Sequence, residues 1–370
     1  VYNGGTFHLH GGILDGSAYV YTDQSTDTKS YNYYGGALYQ GGGNTKVLNM
    51  TAGRLMGGTA QSGGTAFFSY NNQLNITGGQ FFGGTADVDN GGNIRLYSAK
   101  VSGAYQTAGV FNLSNASVTG GNATTAGGNL YIHYYTANLT NCYFDGGTTG
   151  DYGGNINCAT TSTDTITDCR ILNGSGKRGA NVYVAATSAT VKLDGNLVTM
   201  GTATTYSGNI HAGNGNIDIV GGEISFGTAG SYAGNISANA GNVSATSTNY
   251  TRISADEEGN APLIAGGTAK TYGGNLYAVG VLYLDAAQLQ NGAAGTLGQD
   301  IYLAKASKQG RLEISRNITG DISMEETDVL ENYVLCQGIR GKKAWSELFT
   351  RRRVVKEAQE EQITKEWEAV

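Results

Sequence analysis

Proline is almost missing: Pro262 is the single one in 370 residues. Collagen-like and polyproline architectures need it in quantity, so both are excluded. Charge is scarce too. Only 14% of residues are charged and the formal net charge is −6, which offers no basic footprint for nucleic acid. No apolar run approaches the ~18 residues of a membrane span, so the chain shows no transmembrane segment. The four cysteines, Cys142, Cys158, Cys169 and Cys336, contain no CxxC pair, which removes a zinc framework. No motif calls for a metal or a cofactor.

Glycine, by contrast, is abundant, with 59 residues against a usual share near ~7%. A disordered linker fits poorly, because 39% of the chain is hydrophobic, 24 residues are Tyr, and Leu, Ile and Val recur in short alternating runs. Eleven Asn-x-Ser/Thr sequons occur, such as those at Asn75 and Asn138. In a chain this rich in Asn and Thr they are weak evidence for glycosylation. The sequence opens without Met and inside a repeat, which predicts a native N-terminus further upstream.

One phrase returns along the chain: "GGTADVDNGGNIR" at 83, "GGNATTAGGNLY" at 120, "GGTTGDYGGNIN" at 146, "MGTATTYSGNIH" at 200 and "GGTAKTYGGNLY" at 266. Its asparagine falls at Asn93, Asn129, Asn155, Asn181, Asn209, Asn235 and Asn275. Ala37 and Thr65 take the place upstream and Asp300 downstream. The spacings are 28, 28, 36, 26, 26, 28, 26, 40 and 25 residues. The unit is therefore 26 residues or so, with two coils expanded.

Each unit carries two alternating segments. The first follows the asparagine, as in Leu130 and Ile132 about Tyr131, or Val182 and Val184 about Tyr183. The second has two alternating aliphatics, a small pair and a third, as in Leu74, Ile76 and Phe81. Period two with aliphatics inward describes strands, two or three to the unit. Each is too short to stand alone, so the units bury their aliphatic faces by stacking on one another. The expected fold is all-β: a right-handed parallel β-helix of about ten coils, on the order of 50 Å long at one coil per ~4.8 Å. Residues 1–320 form this repeat domain. Residues 321–370 hold 19 of the 52 charged residues and both tryptophans, Trp345 and Trp367. They read as a charged, helical C-terminal cap or linker; the alternative is a partner-binding helix with Arg351–Arg353 as its basic patch.

The "GGN[IL]Y" turns and the "LNITGG" and "IDIVGG" strand ends resemble the adhesin-type repeats of bacterial surface proteins that share the pectate-lyase-like right-handed β-helix. The resemblance covers residues 1 to 320. Gly35-Gly36-Ala37-Leu38 matches the "GGA[IL]" of chlamydial polymorphic adhesins, and Phe68-Ser69-Tyr70-Asn71 is the single match to their "FxxN", so the resemblance stays with the wider group. It implies a secreted or surface-attached protein, often adhesive, with glycans or host cell-surface proteins as partners.

Enzymes share that fold, so catalytic sets were sought. Polygalacturonase-like enzymes carry Gly-His-Gly and Arg-Ile-Lys; neither occurs here, and His8, His10, His133 and His211 lie elsewhere. The densest acidic clusters are Asp164, Asp168 and Arg170, whose carboxylates share a face if the strand runs straight, and the pair Asp87 and Asp89. The plainer alternative for both is solvated strand residues. No catalytic residue is assigned.

Two tyrosine rows are the candidate ligand surface. Tyr206, Tyr232 and Tyr272, with Tyr152, occupy the corner just before the asparagine. Tyr131, Tyr183, Tyr277 and Tyr302, with Tyr39, occupy the outward strand position. Stacked rings suit sugars or another protein, and equally suit packing of the coil. A threonine column (Thr59, Thr85, Thr148, Thr202, Thr228, Thr268) lacks the paired pattern of an ice-binding array. Cys142 and Cys169 hold one repeat position in adjacent coils, within reach of a disulfide or as stacked thiols. The expanded coil holding Asp256, Glu257, Glu258 and Pro262 is a loop that lacks any calcium-binding spacing. The function expected is a non-enzymatic adhesin-like module at the cell surface or outside the cell. The alternatives are a polysaccharide lyase or hydrolase, or a structural spacer.

Overall fold

The computed structural model describes residues 1–17, 34–41, 46–69, 72–98, 100–101, 104–105, 109–160, 162–185, 190–238, 249–304, 311–314, 318–319, 321–324 and 351–354. The chain winds into a parallel β-solenoid of about nine turns, with no helix among the described residues. Four parallel sheets run along the axis, of 13, 11, 11 and nine strands.

In the turn that begins at Asn129, the first sheet takes Leu130–His133, the second Thr136–Thr140, the third Tyr143–Asp145 and the fourth Thr148–Thr149. The sequence suggests two or three strands to the unit, and the structure has four. The segment holding Leu74, Ile76 and Phe81 bends at its small residues, so Gln73–Ile76 and Gly79–Phe82 lie in different sheets. The bend residue is often in the left-handed region, as at Asn115 (φ 52), Asn141 (φ 50) and Asp168 (φ 52). Short polar side chains tolerate that conformation better than branched ones.

The core is built of columns. Ile94, Leu130, Ile156, Val182, Ile210, Ile236, Leu276 and Ile301 pair in register through eight turns, and every one is fully buried. Each aliphatic side chain is thus covered by its own equivalents above and below, which is why no single coil is stable without its neighbours.

Beside this column the repeat asparagines form a buried hydrogen-bonded ladder. Nδ2 of each donates to Oδ1 of the next: Asn93 to Asn129 (2.8 Å), then to Asn155 (2.6 Å), Asn181 (2.7 Å), Asn209 (2.7 Å), Asn235 (2.7 Å) and Asn275 (2.8 Å). Each Oδ1 also accepts from the glycine N–H of its own turn, as Gly201 to Asn209 at 3.1 Å, and each Nδ2 reaches a backbone carbonyl, as Asn209 to Ser225 at 2.8 Å. The two ends are chemically apt. Thr65 starts the ladder as a hydroxyl donor to Asn93 (2.8 Å), and Asp300 ends it as an acceptor from Asn275 (2.6 Å). Glycine is required alongside: a Cβ on Gly121 would stand 2.1 Å from the Gly128 carbonyl and 2.9 Å from Asn129 Oδ1.

The first sheet continues past residue 320. Asp321–Met324 pairs with Ile301–Leu303, and Arg351–Val354 pairs with Asp321–Met324. Arg351, Arg352 and Arg353 are therefore in a strand, where the sequence suggests a helix; pairing with a sheet edge overrides helix propensity. Trp345 and Trp367 lie outside the described residues, as does Cys336.

Removing one rung breaks several buried hydrogen bonds. Asn209→Ala leaves the Gly201 N–H without its acceptor and takes one hydrogen bond each from Asn181 Nδ2, Asn235 Oδ1 and the Ser225 carbonyl, and is expected to cost about 3 kcal/mol. Asp300→Asn, which keeps the acceptor, is expected to cost less than about 1 kcal/mol. Urea midpoints of the two variants against wild type make the comparison, and equal losses would mean the ladder is dispensable.

Candidate functional site

The two tyrosine rows turn out to be one packed layer. Counting from the ladder asparagine, the corner residue lies three before it and the strand residue two after. Corner rings of one turn lie on strand rings of the next: Tyr152 on Tyr183 at 4.6 Å, Tyr232 on Tyr277 at 4.9 Å and Tyr272 on Tyr302 at 4.3 Å between centroids. Along the rows, Tyr206 stacks on Tyr232 (5.0 Å) and Tyr277 on Tyr302 (5.9 Å).

Tyr183 is consequently 7% exposed and Tyr302 2% exposed, which corrects the reading of the strand row as an outward platform. Tyr131, Tyr277, Tyr206, Tyr232 and Tyr272 are half-buried. The cause is the left-handed residue between the two positions. At Gly127 (φ 64) the chain folds so tightly that a Cβ would come within 2.8 Å of the Tyr131 Cβ, so corner and strand side chains crowd together.

Two arginines complete the layer where tyrosine is missing. Arg178 lies over Tyr152 (5.5 Å) and Tyr206 (5.6 Å), replacing the corner ring of its turn. Arg95 lies over Phe67, Tyr97 and Tyr131 and bonds Asp89 and Ser62. His133 and His211 are part of it as well. His211 stacks on Tyr183 at 5.2 Å, and burial, with Arg178 nearby, lowers its pKa to about 3. Burial, then Arg95, lowers His133 to about 4. Sequence reasoning missed Arg178, although counting three back from Asn181 finds it.

The acidic candidates do not converge. Asp164 is fully buried and faces inward, in register with Ala137 and Val191 in a core column. Its Oδ1 accepts from the Ala137 N–H at 2.9 Å, while Oδ2 has no hydrogen-bond partner among the described residues. Burial pushes its pKa up to about 8, and with Asp164 close by, burial also pushes the Cys158 thiol up. Asp168 sits on the exposed bend, so the two carboxylates point to opposite sides of the wall. Neither the shared face nor the solvated Asp164 holds, because the strand ends at Thr167. Asp89 is engaged by Arg95, and Asp87 is exposed.

Cys142 and Cys169 do occupy one column, as free buried thiols, with the Cys142 N–H 3.3 Å from Cys169 Sγ. In the expanded coil, Asp256 accepts from Asn260 at both oxygens (2.7 and 2.9 Å), which holds its carboxyl below the usual range. Among the described residues no group of three acidic, His or Cys side chains is placed to hold a metal. The threonine column lies on the fourth sheet and is interrupted by Asn122 and Ser175 in register.

Two surface features were not foreseen. A second, outward-facing and mostly half-buried amide ladder runs along the second sheet: Asn75 donates to Asn49 (3.2 Å), Asn112 to Asn75 (2.9 Å), Asn138 to Asn112 (2.9 Å) and Thr165 to Asn138 (2.9 Å). Four of the sequons, at Asn49, Asn75, Asn112 and Asn138, are simply these outward positions with the next outward hydroxyl. Beyond the edge of that sheet lies a groove of about 830 Å³ along the bend between second and third sheets. One wall is Ile13, Arg54, Gln80, Ser117 and Tyr143; Asn115 and Asn141 lie on the bend beside Ser117 and Tyr143.

No protein-family model matches the chain, and no curated protein or solved structure was matched in the comparisons.

Two outcomes follow from this geometry. Tyr183→Ala is expected to lower stability by about 3 kcal/mol, as a buried aromatic truncation does, and Tyr232→Ala by less, both read from urea midpoints. Asp164 sets a pH dependence. Its folded pKa is raised, so its contribution is most favourable below about pH 4 and is lost as pH rises toward 8. Asp164→Asn, which keeps the acceptor for Ala137, removes that loss. The variant's advantage over wild type is expected to widen between pH 4 and 8 by up to about 1.4 kcal/mol per pH unit. A constant difference across that range would show that Asp164 is ionised in the fold.

Proposed function

We propose that the chain is the rod of a non-enzymatic, adhesin-like bacterial protein, secreted or held at the cell surface, that binds glycan or protein through its outward faces. The observation that carries this reading is the outward-facing amide ladder beside an open groove. Polar groups recur there once per turn, on a backbone fixed by the buried ladder and the core columns. A rigid, periodic, solvent-facing array loses little entropy when it orders a partner of similar repeat. The resemblance of the glycine corners to adhesin repeats points the same way. The enzymatic alternative drew on Asp164 and Asp168, which do not meet. The spacer alternative draws on the aromatic layer, whose rings mostly contact one another.

A glycan array on the intact chain, together with reducing-sugar and unsaturated-product assays on acidic polysaccharides, tests the reading. Saturable binding without turnover is expected. Turnover abolished by Asp168→Asn would overturn it in favour of an enzyme. Absence of binding to every glycan and cell surface tried would leave the spacer.

A further inference from the structure

We propose that the groove between the second and third sheets binds a neutral, extended saccharide chain laid along the solenoid axis. This rests on the reading of the chain as a binding rod, and it names the ligand and the place.

The first argument is spacing. Ile13, Arg54, Gln80, Ser117 and Tyr143 are strand-paired in unbroken register, one from each of five turns. Their separation is that of adjacent strands, about 4.8 Å. A hexose in an extended chain advances by nearly the same length, so each sugar meets one wall side chain. A peptide strand, at about 3.3 Å per residue, loses that register within two residues.

The second argument is chemistry. The wall offers a guanidinium, a primary amide, a hydroxyl and a phenol ring, and the bend at its Tyr143 end adds the amides of Asn115 and Asn141. These are donors and acceptors for vicinal hydroxyls. Tyr143 is 36% exposed, with its hydroxyl donating to Asp145 at 3.0 Å, which fixes the ring for stacking on the apolar face of a sugar. Arg54 lies over the Phe82 ring at 5.0 Å and has no ion pair among the described residues. It is the only charged side chain in the lining. A polymer with an anionic group on every unit would meet one cation in five turns, so a neutral chain is the better match.

The third argument is access. The backbone of Gly12, Gly53 and Gly79 lines the groove, and the Cβ positions of Gly53 and Gly79 point inward, that of Gly79 to within 2.2 Å of Met50 Cε, so sugar rings approach outward-facing backbone there. The αL asparagines Asn115 and Asn141, bonded to each other at 2.7 Å, mark the end of the groove near Tyr143.

The test is calorimetric titration of the full chain with neutral β-linked gluco-, manno- and N-acetylglucosamine oligosaccharides of two to six units, and with hexagalacturonate as the anionic probe. At least one neutral series is expected to bind, with affinity rising with length to a plateau near five units. Tyr143→Ala and the groove-filling Ala52→Trp are expected to weaken it by about tenfold or more, or about 1.4 kcal/mol. Lys270→Gln, on the fourth sheet, is expected to leave it unchanged, and circular dichroism checks that each variant keeps its β-sheet. Saccharide binding that survives Ala52→Trp would overturn the groove while leaving the binding rod intact. Tighter binding of hexagalacturonate than of every neutral chain would overturn the ligand class alone. Failure of all saccharides, here and on the glycan array, would overturn this inference, and the binding rod would stand only if a cell-surface protein bound.

Discussion

The constraint on which the rest depends is the need to satisfy a primary amide in a dry wall. Each buried asparagine has two donor hydrogens and an acceptor oxygen, and an unmet one costs on the order of 1–3 kcal/mol. The solution is translational. The amide of one turn is completed by the amide of the next, with a glycine N–H and a backbone carbonyl filling the remaining sites. That arrangement works only if successive turns are in register, so the ladder fixes the register of the first sheet. It also survives the expanded coils. The bond from Asn235 to Asn275 spans 40 residues of sequence at 2.8 Å, against 2.6 to 2.7 Å in the ordinary turns, so the wall keeps its register across the expansion. The chemistry at the ends closes the logic: a hydroxyl that need only donate begins the ladder, and a carboxylate that accepts completes it.

Glycine follows from the same constraint. The ladder amide sits against the backbone of the fourth corner, and a side chain there would collide with neighbouring carbonyls and with the amide itself. The abundance of glycine is thus steric before it is conformational. The left-handed bends are a separate requirement, met by glycine in some turns and by Asn115, Ser207, Met200 or Phe226 in others. Residues of that kind in an αL bend carry strain of about 1–2 kcal/mol each. They are affordable in a stack where register is already held by columns on every side.

Much of the fold was legible because both signals are periodic. The asparagine spacing located the turns, and alternation located the first-sheet strands and the inward aliphatics. What was not legible was direction. The chain bends within the segment holding Leu74, Ile76 and Phe81, and a period-two count carried through that bend assigns Asp164 and Asp168 to one side. A left-handed Asx bend has no sequence mark distinguishing it from an Asx on a strand. The tyrosine rows failed differently. Both were correctly placed on the outer side of the coil, but whether two outward side chains see water or each other depends on how tightly the corner folds. That is set by the φ of one residue between them. Arg178 and the outward amide row obey the same count, because each marks a repeat position filled by a different residue type.

Once the aromatic layer is understood as packing, the distribution of unpaired chemistry on the surface changes. Rings that stack along the axis at 4.3 to 5.9 Å satisfy one another, and Arg95 and Arg178 complete the layer where a ring is lacking. Such a layer stiffens the first wall. The second and third sheets are different. In the N-terminal half their outward side chains are mostly amides, hydroxyls and isolated long residues, and the bend between them carries Gly11 and Ala52 in the first turns and Asn115 and Asn141 further on. The polar array is therefore periodic where it is exposed, and hollow only over the first few turns. A solenoid can vary its surface turn by turn without disturbing its core, because each outward residue answers to its neighbours alone. On the proposed reading, recognition is accordingly local to a few turns, while the ladder runs the length of the wall.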